Sequence, residues 1–179
     1  MKRVSKGFFM GAVGAALGLA LILQGIAIAT ASSGDTNAAL GLIGLSFIPI
    51  VFEVVVVMVL FYRMWAAIQD GHARTSPGKA VGFLFIPLYN LYWVFVAIWG
   101  FAKDYNAYIQ RHSINAAPLP EAFFLWYIII QLIISIVARV VGGGVALLLS
   151  VIGFVLIMIL VAKICDGVNA LPETAGAAQ

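Results

Sequence analysis

Glu53 has the clearest capacity for chemistry in this chain, because it stands alone in the apolar run VFEVVVVMVLF, about 13 Å of helix from the nearest polar end. An ionised carboxylate at that depth is costly unless other helices or water receive it. It is therefore expected to face protein and to be open to protonation. The group would serve either as a proton or cation site on a transport path or as a polar clasp between helices. Pro49 lies one turn before it, and a proline there removes a backbone donor and favours a kink. Gln131 lies at a comparable depth in its own run, so a hydrogen bond between the two is an expectation. Tyr127, Gln131, Ser135 and Arg139 recur at four-residue spacing, which keeps them on one slowly drifting helix face. Such a face either lines a polar pathway or marks the protein-facing side of a helix. Asn90, just past Pro87, completes a candidate intramembrane cluster of Glu53, Gln131, Ser135 and Asn90.

Other reactive residue types are sparse. His72 and His112 lie near Asp70 and Asp104, but no pair has the i, i+4 spacing that sets two ligands on one helix face, and a metal site needs three or four converging ligands. Cys165 is the single cysteine, so no intrachain disulfide is possible. No nucleophile motif, phosphate-binding loop, dinucleotide fingerprint or paired-carboxylate arrangement is present. The expectation is a protein without catalytic, cofactor or metal residues, and not an enzyme. A lipid-acting membrane enzyme would need Asp70, His72, Asp104 or His112 gathered in one pocket at headgroup depth.

The elements that must position these residues follow from composition. The 179 residues are 64% hydrophobic and 9% charged, with a mean hydropathy of +1.10. A soluble domain carries roughly 25% charged residues, so the bilayer must be the main solvent. The net charge of +3 does not point to nucleic acid, because the basic residues are scattered at the ends of apolar runs. The chain reads as a single membrane domain, 1–179, that is all-α, with spans at about 8–30, 39–62, 122–141 and 145–165. The first run resembles a signal peptide in its Lys2, Arg3 and Lys6 and its Ala29-Thr30-Ala31 stretch. It is longer than the 7–15 apolar residues of such a segment and is read as a retained helix. Gly7, Gly11, Gly14 and Gly18 give it a face suited to close helix contact. Gly142-Gly143-Gly144 is expected to turn the last two spans into an antiparallel hairpin, followed by the polar tail LPETAGAAQ.

Residues 77–112 pose the topological question. Ser76 and Pro77 make a helix start, as N-cap and first helical residue. Pro87 interrupts the apolar run after about ten residues, and Asn90 is expected to cap a second helix running to about Arg111. Arms from Pro77 to Ile86 and from Leu91 to Ala102 are about 15 and 18 Å long, too short to cross alone. If residues 81–102 crossed, Lys103, Arg111 and Lys163 would lie outside. If they return to the cytosolic side, only Arg139 does, which fits the positive-inside rule better. The aromatic residues from Phe83 to Phe101 suit the headgroup level. The expectation is thus four transmembrane helices plus a Pro-broken, aromatic-rich re-entrant or interfacial helix pair, with a cytosolic N-terminus. Five transmembrane helices are the alternative. Arg74, Lys79, Trp93, Trp99, Lys103 and Arg111 are the candidate contacts for a partner or for anionic lipid.

The block from Phe61 to Tyr108 carries Tyr62-Arg63-Met64-Trp65, Ser76-Pro77-Gly78, Ala80-Val81-Gly82, Phe85-Ile86-Pro87 and Asn90-Leu91. In these motifs it resembles an uncharacterised family of bacterial multi-spanning membrane proteins known only as a domain of unknown function. The resemblance covers about a quarter of the chain, and Trp65, Asp70, Lys79 and Tyr92 depart from the family's pattern. It implies a bacterial inner-membrane protein and no particular activity. With little exposed polar mass and no catalytic set, the first functional expectation is an accessory, scaffold or oligomer-forming subunit. Its partners would be the lipid bilayer and other membrane subunits or itself, with no nucleic acid. The alternative is a channel or transporter for a small solute or ion, using Glu53 and the re-entrant segment.

Overall fold

Four long apolar helices carry the chain back and forth, and each is long enough to cross a bilayer. The computed structural model describes residues 3–141 and 143–172. Lys2, Gly142 of the expected glycine turn and the tail from residue 173 lie outside the described residues. The first helix, α1 (Lys6–Ser32), starts where Ser5 Oγ accepts from the Phe8 amide at 3.3 Å. It ends at a turn in which Gly34 adopts φ +96°, a value that favours glycine. Asp35 then caps α2 (Thr36–Ala67), its Oδ1 accepting from the Ala38 amide at 3.0 Å. Near the far end of the chain, α6 (Glu121–Val141) and α7 (Gly143–Asn169) pack against each other as the expected hairpin.

Between α2 and α6 the chain makes a shorter hairpin of its own. Ser76 caps α3 (Pro77–Gly82), which tightens into a 3-10 turn over Phe83–Phe85. At Pro87-Leu88-Tyr89 the chain reverses: the Tyr89 amide donates to the Pro87 carbonyl at 2.7 Å, with Leu88 at φ 63° and ψ −44°. That is a γ-turn of the rare positive-φ kind, strained for leucine. The return arm is one helix of three parts: α4 (Tyr89–Val94), a wide π stretch (Phe95–Gly100) and α5 (Phe101–Arg111). It starts at Tyr89 rather than at an Asn90 cap, and Asn90 instead donates its backbone amide to Ile86 at 3.0 Å. It runs unbroken to Arg111, the end expected for the second helix. Trp93 holds the hairpin closed, donating Nε1 to the Ala80 carbonyl at 3.1 Å and stacking on Tyr89 at 5.6 Å.

The helices are arranged as a ring. α1 packs between α2 and α7, α7 packs on α6, and the hairpin fills the gap between α2 and α6. Only one half of the ring is densely filled. The buried core gathers Phe9, Val13, Leu60, Met64, Trp65, Phe101, Tyr105, Phe124, Leu160 and Ile164, all at the end that carries the N-terminus. This end also holds most of the Lys and Arg residues and is called the basic end here. The π stretch has a visible cause there. Widening the helix frees carbonyls from the i+4 ladder, and the Ala97 carbonyl accepts from Trp65 Nε1 at 3.0 Å. Because the hairpin turns back at Leu88, no other element among the described residues replaces it at the opposite end, where the turn at Gly34 lies.

Candidate functional site

The space left by the returning hairpin is a cavity of about 420 Å³ lined by all four long helices. Gln24 comes from α1, Glu53 from α2, Gln131 and Ser135 from α6, and Ser150 and Gly153 from α7, set among Leu, Ile and Phe side chains. Glu53 is 8% exposed and has no ion-pair or hydrogen-bond partner among the described residues. No fully buried polar side-chain atom among those residues lacks a partner, so the carboxylate opens onto the cavity.

The lining is rich in acceptors. Ser135 Oγ donates to the Leu132 carbonyl at 2.8 Å and Ser150 Oγ to the Ala146 carbonyl at 2.9 Å. Each hydroxyl hydrogen is therefore spent on its own helix, leaving oxygen lone pairs to face inward. Gln131 turns its Nε2 toward the Gly153 carbonyl at 3.4 Å and Tyr127 Oη at 3.5 Å. A Cβ on Gly153 would sit 2.8 Å from Gln131 Oε1, so glycine makes room for the amide. Among the described residues no Lys, Arg or His lines the cavity. One carboxylate with neutral oxygens and no cation of its own is an environment for a proton or a small positive ion.

A second cavity of about 330 Å³ adjoins the first, sharing Gln24 and Ser150 and continuing past Ala27 and Ile43 to Ala31 and Gly143. Ala31 and Gly143 lie beside the two turns, so the pair of cavities runs from the turn end toward Glu53. On the other side, the packed core closes the way to the basic end.

Three of the four residues expected to form the polar cluster meet here: Glu53, Gln131 and Ser135. The expected hydrogen bond between Glu53 and Gln131 is not formed, because the Gln131 amide is held on Gly153 of α7. Asn90 is not among the lining residues and is exposed on the hairpin. Gln24 and Ser150 complete the lining and were not singled out from sequence. The available signal was a lone polar residue inside each apolar run, LILQGIA and LLLSVIG.

The polar residues of the basic end make structural pins. Asp70 accepts from Arg111 Nη2 at 2.8 Å and lies 3.2 Å from His112 Nε2. The His72 amide donates to its other oxygen at 3.0 Å. Burial pushes the Asp70 carboxyl up, but the hydrogen bonds from Arg111, His72 and His112, with the Arg111 charge, outweigh it and bring the pKa down to about 2. Arg74 pairs with Asp104 Oδ1 at 2.6 Å and lies across Gly100. Arg74 and Arg111, expected as partner or lipid contacts, are thus engaged with carboxylates, and Trp93 is buried. Lys103 sits over the Trp99 ring at 3.5 Å, and Lys79 is exposed. Asp104 stands with Arg74, apart from Asp70 and the histidines. Among the described residues no group of three His, Cys, Asp or Glu is placed to hold a metal ion.

Compared with protein-family models, curated proteins and solved structures, the chain gives no match.

Proposed function

We propose that this protein is a multi-pass membrane channel or transporter that takes up a proton or small cation at Glu53 from the turn end. The observation that carries the reading is the cavity itself: one unpaired carboxylate, oxygen acceptors from the other three long helices, and no basic residue in the lining. A carboxylate kept only as a clasp between helices would be expected to hold a partner, and Glu53 has none among the described residues. Residues 77–112 act in this reading as a re-entrant hairpin that closes the basic half of the ring. The basic end lies on the cytosolic side in this reading, by the positive-inside rule, and a bacterial inner membrane is proposed on the resemblance alone. Kinship with the uncharacterised family resembled by the Phe61–Tyr108 block is proposed on those motifs alone.

The test is cation flux into proteoliposomes, with protons, Na⁺, K⁺ and methylammonium offered separately. The wild-type protein is expected to carry at least one of them, and Glu53→Gln to lose that flux with assembly and melting temperature unchanged. Equal flux in both proteins, or none in either, contradicts the reading.

A second reading, an accessory or oligomer-forming subunit, has its own observation. Gly7, Gly11 and Gly18 of α1 have nothing within 4 Å of where a Cβ would stand, whereas Gly14 meets Met158. The glycine face is therefore used only in part within one chain, and the remainder is open for a second helix. Under this reading Glu53→Gln leaves function intact and Gly11→Ile disrupts assembly.

A further inference from the structure

Outside the polar cavity, the structure has a second concave feature of opposite character. A groove of about 610 Å³ runs between α2 and the outgoing arm of the hairpin, with Val81 and Phe85 as one wall. The other wall is a row along α2 from Ile50 through Val54 and Met58 to Tyr62. From Ile50 to Tyr62 is twelve residues, about 18 Å of helix, close to one leaflet of a hydrocarbon core about 30 Å thick. The lining is apolar except at its basic end. There Tyr62 is 53% exposed and its hydroxyl has no partner among the described residues. Beside it, the row Val51, Val55, Val59 reaches Arg63 one turn later.

Charge at that end is unbalanced. The carboxylates Asp70, Asp104 and Asp166 are paired with Arg111, Arg74 and Lys6, and Glu121, which keeps its charge, accepts from the Asn106 amide. Arg63 is exposed and has no carboxylate partner among the described residues, only the Phe9 ring at 6.0 Å. An apolar slot one leaflet deep that ends in a phenol, with the unneutralised guanidinium of the next residue at the same level over Phe9 of α1, matches a chain with a negative head.

We propose that this groove binds one anionic phospholipid, with an acyl chain along Ile50–Tyr62 and its phosphate on Arg63 and Tyr62. Glu53 is not among the groove's lining residues, and Ile50 borders both the groove and the polar cavity. The bound chain would fill the space between α2 and the hairpin wall at Val81 and Phe85.

The test uses the full chain in nanodiscs of mixed phosphatidylglycerol and phosphatidylcholine, transferred to mild detergent, with retained lipid counted by native mass spectrometry. The wild-type protein should keep one phosphatidylglycerol per chain in preference to phosphatidylcholine. Arg63→Gln should lower that preference several-fold, with Tyr62→Phe doing so more weakly. Val55→Trp should remove both lipids by filling the groove, while Arg139→Gln at the opposite end changes nothing. Equal retention of the two lipids, or lipid retention unaffected by Val55→Trp, would overturn the proposal. So would a dimer that Val55→Trp abolishes, since a second copy would then be the occupant. All four altered positions are exposed, and an unchanged melting temperature verifies that each variant is folded.

Discussion

At the scale of single residues, the contrast between Glu53 and Asp70 is informative. Asp70 is surrounded by donors and held as a carboxylate, with a pKa of about 2. Its folded value lies below the ordinary one, so its contribution to stability is complete above about pH 4 and is lost as pH falls toward 2. Thermal melts across that window should show a decline in the wild-type protein that Asp70→Asn largely removes, having already lost the contribution at neutral pH. Glu53 has no such donors and is left to the cavity. Its position in an apolar run was plain in the sequence, but its surroundings were not. Which polar residues of other helices face it depends on helix rotation, and hydropathy is blind to rotation when a helix is apolar all round. For that reason Gln24 and Ser150 passed unnoticed and Asn90 was placed with the wrong group. Gly153 supplies a second residue-scale prediction. Gly153→Ala should push the Gln131 amide into the cavity and reduce flux several-fold, with no effect on assembly.

At the scale of elements, the hairpin decides how the bundle is built. Its existence was legible, because Ser76-Pro77 starts a helix, Pro87 stops it, and the distribution of Lys and Arg favours a return. The π stretch was not legible, since its cause is the Trp65 indole of another helix meeting the Ala97 carbonyl. Trp65→Phe removes that donor from a fully buried site. The unpartnered carbonyl and the lost packing should together cost about 2 kcal/mol, read as a lowered melting temperature in detergent. If the melting temperature is unchanged, the wide turn does not depend on Trp65. The anchoring role of Asn106 was not legible either: its side chain holds the Leu119 backbone from both sides, at 2.9 and 2.7 Å. Nothing in the sequence ties an asparagine on one helix to a loop residue beyond its end.

At the scale of the whole molecule, the ring is filled at the basic end and hollow at the other, and the proposed direction of entry follows from that asymmetry. The proposed topology can be read with an impermeant thiol reagent on a Cys165→Ser background. Ser33→Cys should react from outside the cell, whereas His72→Cys and Ser113→Cys should react only once the membrane is opened. Labelling of Ser113→Cys from outside would restore the five-helix arrangement. The central claim, that Glu53 exchanges a proton or small cation with water through the cavity, is tested most directly by infrared difference spectroscopy in nanodiscs. Wild-type protein and Glu53→Gln are compared while pH or the cation is changed. The account predicts a carboxyl band, absent from Glu53→Gln, that responds to pH or to at least one cation within the time of solution exchange. A carboxyl signal identical in the two proteins under every condition would contradict it.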